Sequence, residues 1–442
     1  MGRPEGPEGQ VAYVPFTAPG DRAVVEAAPS EGALHATLVE LAAPGAARVP
    51  PPCSHFGVRA PGTPPPPLPG RDALCGGCEW LHVRYEEQLR VKARTVREAL
   101  RRIGRLEPGT YEERPILGSP APLRYRVRAK FHLNRPSRRL VFFQRRSHAP
   151  VRLEECHLLV PGLDALRAGV GPALVEAGLA ATEVSLEWSE QEGRGAAHAK
   201  VADTGASARK RAEALLALVP ALSGVVLTAE GQPPAVVGDP VLRHPRDPGH
   251  PAAGLQRSRP DVFLQANRGA NALLVAEALA MLAPGPQDAV LELFCGAGNF
   301  TSPLAARARS VSAIEVAGPS LELARADLGP AGAGGGPAAG NVRFFAGDAL
   351  KLGAALGRER GPDAPRFRLA LLDPPREGAK GVGPLLRDLA VERAVYVSCD
   401  PATLARDLNA CTRAGFRVAS VRAVDMFPQT HHVEAVALLV RG

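Results

Sequence analysis

Cys399 lies where a short apolar run ends and a polar turn begins, a place where a thiol can take part in chemistry. The run Ala394-Val395-Tyr396-Val397 predicts a buried strand, and Ser398 to Leu404 predicts a loop that opens a helix. Glu434 comes 35 residues after Cys399, at the start of the last apolar strand. A thiol and a carboxylate at the ends of two predicted strands indicate a nucleophile and a general base.

A glycine-containing turn upstream predicts a cofactor site in the same domain. It occurs in Leu291-Glu292-Leu293-Phe294-Cys295-Gly296-Ala297-Gly298-Asn299-Phe300-Thr301, directly after an apolar strand. Gly296 and Gly298 lack a Cβ atom, so the backbone there can approach a ligand closely. Dinucleotide fingerprints require a third glycine where this chain has Thr301. Glu315 ends the next strand, 17 residues past Gly298, and could hold ribose hydroxyls.

This arrangement is similar to the S-adenosylmethionine-dependent methyltransferases with a Rossmann-like fold. The resemblance implies that Asp348, which ends the third strand, lies near the adenine. The predicted cofactor-binding residues in this part of the chain are Phe294, Gly296, Gly298, Asn299, Glu315, Asp348 and Asp373.

Asp373-Pro374-Pro375-Arg376 follows the fourth strand, at the edge of the sheet where ligands of open α/β sheets bind. We expect this segment to contact the target base. Amino-group methyltransferases place an aromatic residue after such an Asp-Pro-Pro, where this chain has Arg376. RNA cytosine methyltransferases place a Cys close to this position, and this chain has none there. Both comparisons argue against those two chemistries.

The region from Asp261 to the end alternates apolar strands with helices, which predicts an α/β fold with a doubly wound sheet. The helical spacing of apolar residues predicts an amphipathic helix over Tyr85 to Ile103 with a basic outer face. Short strands broken by turns in residues 11 to 52 suggest a small β-barrel. The predicted strands of the C-terminal region are Ala289 to Leu293, Val311 to Glu315, Val342 to Ala346, Phe367 to Leu372, Ala394 to Val397, Arg417 to Val421 and Val433 to Val440.

Positive charge is concentrated in a segment that alternates with a period of two. Arg124, Arg126, Arg128 and Lys130 are separated by apolar or small residues, so one face of a predicted strand is cationic. An ordinary solvated strand face is the plain alternative, but the alternation favours a polyanion-binding surface. The whole chain of 442 residues carries a net charge of +8, and Arg outnumbers Lys 47 to 6. Genome composition is an equally simple source of the Arg excess taken alone.

The chain has no apolar run that would serve as a signal peptide at Met1 to Gln10 or span a membrane elsewhere. We therefore expect a cytoplasmic protein that does not associate with membranes, and we expect a monomer. Seven Cys in such a protein are expected to bind metal or act in catalysis rather than form disulfides. Cys295 and Cys411 are interpreted as structural.

Four motifs together resemble the RNA uracil-5-methyltransferase family. They are Phe294 to Thr301, Asp373 to Gly378, Ser398 to Asp407, and Phe427 to Glu434. The resemblance implies that the Cys399 thiolate adds to carbon 6 of uracil and that Glu434 removes the proton from carbon 5. It also implies that Gln265 contacts S-adenosylmethionine and that residues 11 to 52 form a TRAM-like, RNA-binding barrel.

Four further Cys include a Cys-x-x-Cys pair, whose spacing suits a metal or cluster site. Cys53, Cys75, Cys78 and Cys156 resemble the ligands of the iron-sulfur branch of the family, which implies a 4Fe-4S cluster. Cys53 and Cys75 are 21 residues apart because a Pro-rich insertion, residues 58 to 73, stands where the family has only a few residues. Such a loop can extend into solvent without separating its ends, so the cluster is favoured over tetrahedral zinc or free thiols.

The sequence therefore predicts three parts around one reaction. Residues 1–52 form the TRAM-like (OB-like) barrel, 53–84 with 118–260 a β-rich central domain with the cluster, and 261–442 the Rossmann-like methyltransferase domain. The resemblance implies that residues 85–117 pack on the catalytic domain. The predicted reaction is methylation of carbon 5 of a uridine in RNA, with 23S ribosomal RNA favoured as substrate. The alternatives are transfer RNA, or a non-catalytic RNA-binding protein that retains the fold.

Overall fold

A computed structural model describes residues 11–28, 34–57, 75–145, 147–250, 254–328, 340–358 and 366–442. The Pro-rich insertion at 58–73 and the N-terminal residues 1–10 lie outside the described residues. Within the described part of the chain, none of the helices combines the length and apolar character that crossing a bilayer requires.

The N-terminal region, which precedes the Cys-x-x-Cys segment, is a three-stranded sheet. Its strands are β1 (Ala12–Tyr13), β2 (Arg22–Ala28) and β3 (Leu34–Ala43), in the order β1-β3-β2. The Arg48 guanidinium and the Gly45 N–H both bind the Asp21 carboxylate, which fixes the turn before β2 to the chain after β3. The predicted strands are present, but the described residues form an open sheet and do not close into the expected barrel.

A helix and a strand connect this region to the rest of the molecule. They are α1 (Tyr85–Arg102) and β4 (Glu112–Leu117), and α1 ends within one residue of its predicted end. Val96 and Leu100 are buried on one face of α1, which packs against a C-terminal helix at 401–413 and the strand at 416–424. The early chain segment thereby lies against the C-terminal half.

The central region contains a seven-stranded sheet with the order β11-β10-β9-β8-β5-β6-β7. A separate hairpin, β12 with β13, follows it. The elements are β5 (Arg128–Asn134), β6 (Arg139–Phe143), β7 (Pro150–Val151), α2 (Pro161–Glu176), β8 (Glu183–Ser189), β9 (Arg194–Lys200), α3 (Ala206–Leu218), β10 (Leu222–Thr228), β11 (Ala235–Gly238), β12 (Leu242–Pro245) and β13 (Leu255–Ser258).

The cationic stripe predicted at residues 124–130 is not a free cationic face. Arg124 binds Glu155 and the Cys156 carbonyl, and Lys130 forms an ion pair with Glu183 at 3.0 Å. Arg128 donates to the carbonyls of Pro260 and Val262. These cations are therefore paired within the chain. The alternation of residues along a strand predicts which way the side chains point, but it does not predict which carboxylates they contact.

The C-terminal region is an eight-stranded mixed sheet with helices on both faces, in the order β16-β15-β14-β17-β18-β20-β19-β4. The elements are α4 (Arg268–Leu282), β14 (Ala289–Leu293), α5 (Thr301–Ala305), β15 (Ser310–Glu315), α6 (Gly318–Leu328), β16 (Val342–Ala346), α7 (Ala349–Arg358), β17 (Phe367–Leu372), α8 (Val382–Asp388), β18 (Arg393–Ser398), α9 (Pro401–Arg413), β19 (Phe416–Val424) and β20 (Glu434–Arg441). The prediction of an α/β fold is confirmed, and each predicted strand lies within three residues of its observed bounds.

These strands were predictable because their central members are buried on both faces. Leu291 and Leu293 of β14 pack into one core, whereas Val290, which precedes Leu291, packs into the other. From β14 the chain first adds strands on one side of the sheet, β15 and β16, and then adds β17 and β18 on the other side. The connections therefore leave β14 and β17 in opposite directions, and a crevice opens at the carboxyl ends of these two parallel strands. The glycine turn follows β14 and Asp373 follows β17, so both stand at this crevice.

Candidate active site

Cys399 and Glu434 are brought face to face by the antiparallel pairing of β18 with β20. The last pair of the ladder joins Ser398 to Ala435, so Cys399 and Glu434 are the next residues on the two segments. The Glu434 carboxylate is close enough to act on the pKa of the Cys399 thiol. Directly opposed residues of an antiparallel pair project to the same face of the sheet, with Cβ atoms about 5 Å apart. The thiol and the carboxylate therefore share one site.

The charges around Cys399 act in opposite directions on its thiol. Burial, followed by the neighbouring Glu434 carboxylate, raises the pKa of Cys399 to about 11. The Arg376 guanidinium lowers the same pKa. Because the thiolate is the nucleophilic form, Arg376 is the charge that favours activation of Cys399.

Two acidic groups at the site are held towards their protonated forms. Burial raises the pKa of Glu434 to about 8, with a contribution from the Asp373 carboxylate, while Arg376 acts in the opposite direction. Burial also raises the pKa of Asp373 to about 7, although part of that residue is exposed. A carboxylate with a pKa near 8 is a stronger base than an exposed one, which suits proton removal near neutral pH.

The chain around Cys399 is fixed by residues close to it in sequence. Asp400 caps α9 by accepting a hydrogen bond from the Thr403 N–H at 2.8 Å, and Pro401 occupies the first turn. Below the thiol, the Tyr396 hydroxyl donates to Asp407 at 2.7 Å. The Ala379 N–H donates to the same Asp407 oxygen at 2.8 Å, which ties the loop after Asp373 to α9.

The cofactor turn has the backbone strain expected of a functional loop. Phe294, directly after β14, has a φ of +62°, a left-handed conformation that is uncommon for a bulky residue. Gly296 and Gly298 also have positive φ angles, of +55° and +84°. A Cβ atom added at Gly296 would meet nothing within 4 Å, so this part of the turn faces open space. The turn can therefore accept a ligand against its backbone.

Glu315 and Asp348 lie at the carboxyl ends of β15 and β16, as their positions predicted. The Glu315 carboxylate accepts hydrogen bonds from the N–H groups of Gly296 at 3.0 Å and Ala317 at 2.8 Å. Glu315 thus connects the turn after β14 to the turn after β15. Asp348 is exposed and accepts from the Lys351 N–H at 2.8 Å at the start of α7.

Gln265 and Asn299 lie on the other side of the turn. The Asn299 amide exchanges two hydrogen bonds, of 2.9 and 3.0 Å, with the amide of Asn271 on α4. This pair fixes the turn to the segment that contains Gln265. Gln265 is buried, and its Oε1 has no hydrogen-bond partner among the described residues. A buried acceptor without a partner is costly, so Gln265 fits a site where a ligand supplies the donor.

The four predicted cluster ligands are gathered around one cavity. Cys53, Cys75, Cys78 and Cys156 line a cavity of about 30 Å³ whose other walls are largely apolar. Burial raises the pKa of Cys75 to about 11 and raises that of Cys78 further. Among the described residues, no three or more His, Cys, Asp or Glu side chains are close enough together to hold a single metal ion.

Sequence reasoning did not identify three residues at this site. Arg376 was considered only as a departure from other methyltransferases, yet it is the cation that acts on both Cys399 and Glu434. Phe263 and Val316 are large apolar residues that are 73% and 74% exposed, beside Gln265 and Glu315. Their signal in the sequence was that each lies within two residues of a predicted cofactor-binding residue, but only the structure reveals their exposure. Cys295 and Cys411 are both buried, in agreement with their structural interpretation.

The comparisons with known proteins agree with this geometry. A model of the tRNA (uracil-5-)-methyltransferase family matches residues 255–442. The 23S rRNA (uracil(1939)-C(5))-methyltransferase RlmD of Pseudomonas entomophila is 34% identical over 374 residues, which cover 84% of this chain and 79% of that protein. The protein of the same name from Alkalilimnicola ehrlichii is 35% identical over 428 residues, which cover 92% and 86% of the two chains. That of Pectobacterium atrosepticum is 31% identical, with 98% and 89% covered.

A solved structure with the same fold is that of Pyrococcus abyssi tRNA (uracil-54, C5)-methyltransferase in complex with S-adenosyl-L-homocysteine. The TM-score is 0.69, with 20% identity, and 97% of this chain and 95% of that chain are covered. The likeness shows that the two chains share one fold. With curated relatives 34% and 35% identical over 84% and 92% of its length, this chain belongs to the RNA uracil-5-methyltransferase family.

Proposed function

We propose that this protein transfers a methyl group from S-adenosylmethionine to carbon 5 of a uridine in 23S ribosomal RNA, acting as a monomer. The observation that carries the proposal is the opposition of Cys399 and Glu434 across the β18–β20 pair. The names of the curated relatives support 23S ribosomal RNA and the uridine that corresponds to position 1939.

Carbon 5 of uracil is a poor nucleophile, and the proposed role of Cys399 is to activate it. The thiolate adds to carbon 6, and the electron pair of the carbon 5–carbon 6 double bond moves to form an enolate. S-Adenosylmethionine supplies the methyl group that carbon 5 then takes. Arg376 favours this step because its positive charge stabilises the thiolate.

Glu434 is proposed to complete the reaction as a general base. After methylation, carbon 5 carries both the new methyl group and its original hydrogen. The Glu434 carboxylate takes that hydrogen as a proton, the double bond re-forms and the Cys399 thiolate leaves carbon 6. Glu434 later releases the proton to solvent, so the enzyme returns to its starting state.

The methyl donor is proposed to lie in the crevice between β14 and β17. Gln265 would supply its free oxygen to a donor group, and Val316, which is exposed beside Glu315, would pack against the adenine. Glu315 would hold the ribose hydroxyls, and Asp348 would lie near the adenine. The residues proposed to bind the donor are Gln265, Phe294, Gly296, Gly298, Asn299, Glu315, Asp348 and Asp373.

We propose that Cys53, Cys75, Cys78 and Cys156 hold a 4Fe-4S cluster. Their donor set supports it, because four thiolates around a largely apolar cavity suit iron-sulfur chemistry. Burial raises the pKa of Cys75 and Cys78, so their thiolates need a compensating cation, which a bound cluster would supply.

RNA is proposed to approach the exposed edge of the site near Phe263. An aromatic ring that is 73% exposed is a platform on which an unpaired base can stack. The uridine would have to leave its base stack to reach Cys399. The three-stranded N-terminal sheet is proposed to be a TRAM-like RNA-binding unit, supported by the stacked rings of Tyr13 and His35 at 5.6 Å.

Replacing Cys399 with Ala tests the proposal by an assay of methyl transfer to uridine in ribosomal RNA. The variant should lose turnover, and retained turnover would contradict the role of Cys399. Glu434→Gln should still attack and methylate but should accumulate a covalent RNA adduct, because only release is blocked. Wild-type turnover without adduct would contradict the role of Glu434.

Transfer RNA is the second candidate substrate, because the family model that matches this chain is described as tRNA (uracil-5-)-methyltransferase. Mapping 5-methyluridine in both RNAs from a deletion strain separates the two candidates. Loss of the modification from ribosomal RNA alone supports the proposal. A non-catalytic RNA-binding protein would have no need to keep Cys399 and Glu434 opposed.

The proposed cluster has its own test. Iron and sulfide should be found in the protein after anaerobic purification, and one zinc ion with no sulfide would contradict the cluster.

A further inference from the structure

The loop that joins β19 to β20 ends at Glu434, so its position fixes the position of the proposed base. We call residues 425–433 the base loop. Its hydrogen bonds reach a part of the chain that is more than 330 positions earlier in sequence. The N–H groups of Glu79 and Trp80 both donate to the Gln429 carbonyl, at 2.9 and 3.0 Å. Glu79 directly follows Cys78, one of the proposed cluster ligands.

The Gln429 side chain and backbone are also bound by α1. The buried Gln88 amide donates to the Gln429 Oε1 at 2.9 Å, and the Gln88 oxygen accepts from the Gln429 N–H at 2.9 Å. Gln429 has a φ of +68°, an uncommon conformation that costs on the order of 1 kcal/mol and persists only where neighbours impose it. The contacts from Glu79, Trp80 and Gln88 impose it here.

Both ends of the base loop are held by the same early segment. Near its start, the Lys92 ammonium binds the Asp425 carboxylate at 2.6 Å and the Phe427 carbonyl at 2.9 Å. Near its end, the Glu79 carboxylate accepts from the His431 N–H at 3.1 Å and contacts the His431 ring. His431 stands three residues before Glu434. The early segment therefore holds the base loop along most of its length.

The contacts described for Cys399 come from a different set of residues. Asp400, Tyr396 and Asp407 fix its strand end and helix start, and all three belong to β18, α9 or the turn between them. A change in the early segment should therefore move Glu434 more than it moves Cys399.

We infer that Glu79 and Gln88 are positioning residues that set the geometry of Glu434, and that they govern proton removal and RNA release rather than attack by Cys399. The inference rests on the proposed function of the two residues in uracil methylation. Because Glu79 follows Cys78 directly, the same contacts make the proposed cluster segment a support for the base loop.

The experiment separates the two steps with ribosomal RNA and S-adenosylmethionine labelled in its methyl group. Methyl incorporation is measured in a single turnover, and covalent adduct is measured on a denaturing gel. Gln88→Ala and Glu79→Ala should incorporate methyl at nearly the wild-type rate but release RNA about 10²-fold more slowly, because small displacements of a catalytic group have effects of that size. Methylated adduct should therefore accumulate in both variants.

Two further variants keep the test decisive. Arg97→Ala lies on α1, in an exposed ion pair with Glu113 that does not touch the base loop, and should behave as wild type. His431→Ala changes a side chain that is 58% exposed and removes its ring contact with Glu79 without a buried substitution, so it should fold and should accumulate adduct.

The results distinguish the inference from the function on which it rests. Wild-type adduct levels in both the Gln88 and His431 variants would overturn the inference, as would equal slowing of methylation and release. If the wild-type protein itself fails to methylate the RNA, the proposed function is wrong instead. If Gln88→Ala does not fold, the adduct level of His431→Ala decides alone.

Discussion

Cys399 and Glu434 face each other across one pair of strands, yet the molecule holds them in different ways. The surroundings of Cys399 are local: Tyr396, Asp400 and Asp407 all lie within eight residues of it. The loop that leads to Glu434 is instead held by residues near the start of the chain. The proposed nucleophile is thus held within the C-terminal sheet itself, whereas the loop before the proposed base contacts another region of the chain.

This difference separates two steps of one reaction. In the proposed mechanism, attack and methyl transfer need the Cys399 thiol and the methyl donor, both of which we place at the C-terminal sheet. Release needs the Glu434 carboxylate, which we infer to be aligned through the Cys-x-x-Cys segment and α1. A protein built this way can lose efficient release through damage to its N-terminal half while its capacity for attack remains.

The largest expected effect comes from breaking the buried ion pair between Lys92 and Asp425. Both side chains are fully buried, so Lys92→Met leaves a carboxylate buried without its partner and should lower the free energy of unfolding by about 3–5 kcal/mol. Chemical denaturation measures this loss. The double variant Lys92→Met with Asp425→Leu should recover most of the stability, because neither charge then remains.

The exposed pair of Arg97 and Glu113 is the matched control on the same helix. Arg97→Ala should cost no more than about 1 kcal/mol, because exposed ion pairs contribute little. If Lys92→Met and Arg97→Ala destabilise the protein equally, the base loop is not held by this buried pair.

The second prediction uses pH to separate release, which needs Glu434, from attack by Cys399. Glu434 must be ionised to act as a base, and its pKa is raised to about 8, so release should slow as pH falls below 8. Between pH 8 and pH 6 the expected decrease is about 50-fold, because the ionised fraction of Glu434 falls from about one half to about one hundredth. The pKa of Cys399 is raised to about 11, so attack should continue to accelerate above pH 8, where release levels off.

Rapid-quench measurements of methyl incorporation and adduct decay from pH 6 to 9 test this separation. The pH dependence of adduct decay near pH 8 should be absent in Glu434→Gln, which has no carboxyl group at that position. A rate of release that stays constant from pH 6 to 8 in the wild-type protein would exclude Glu434 as the titrating base.

The third prediction disturbs the nucleophile side alone. Asp407→Ala removes the acceptor of both the Tyr396 hydroxyl and the Ala379 N–H, and should cost about 1–3 kcal/mol of stability. Because Ala379 follows the Asp373 segment, methyl incorporation in a single turnover should slow, without accumulation of adduct. Tyr396→Phe keeps Asp407 bound to Ala379 and is the milder control. Accumulated adduct in Asp407→Ala would contradict the assignment of the two sets of residues.

The strands of the C-terminal sheet could be predicted from the sequence, whereas the contacts between distant regions of the chain could not. Ala289, Val290, Leu291 and Leu293 are apolar because both faces of β14 are buried, and such runs are visible without a structure. Cys399 and Glu434 could be singled out because their residue types at strand ends are chemically informative. Their opposition depends on the register of β18 with β20, which no local pattern specifies.

The predicted polyanion-binding stripe failed because contacts between distant parts of the chain could not be predicted from the sequence pattern. The alternation of Arg124 to Lys130 is real, but β5 begins only at Arg128. Glu155 and Glu183, which bind Arg124 and Lys130, come from distant parts of the chain and could not be assigned from spacing. The contact between Glu79 and His431 was hidden for the same reason, because 352 positions separate the two residues.

The smallest expected effect concerns Gln265, which belongs neither to the residues around Cys399 nor to those that hold the base loop. Gln265 is buried, and its Oε1 has no partner among the described residues, so a bound methyl donor is the expected source of its hydrogen bond. Gln265→Leu should weaken binding of S-adenosylmethionine about fivefold, which calorimetry measures, because one hydrogen bond contributes roughly 1 kcal/mol. Stability without the donor should stay the same or rise, since a buried acceptor without a partner is removed.

Gln256 provides a matched control, because it is also buried but its Oε1 accepts a hydrogen bond from Arg268 at 3.0 Å. Gln256→Leu should therefore lose stability and keep its affinity for the donor, which is the opposite of the response expected for Gln265→Leu. Because weaker donor binding limits methylation and leaves the later step unchanged, Gln265→Leu should not accumulate adduct. Accumulation would mean that the donor segment also aligns Glu434, and the separation of attack from release would then fail.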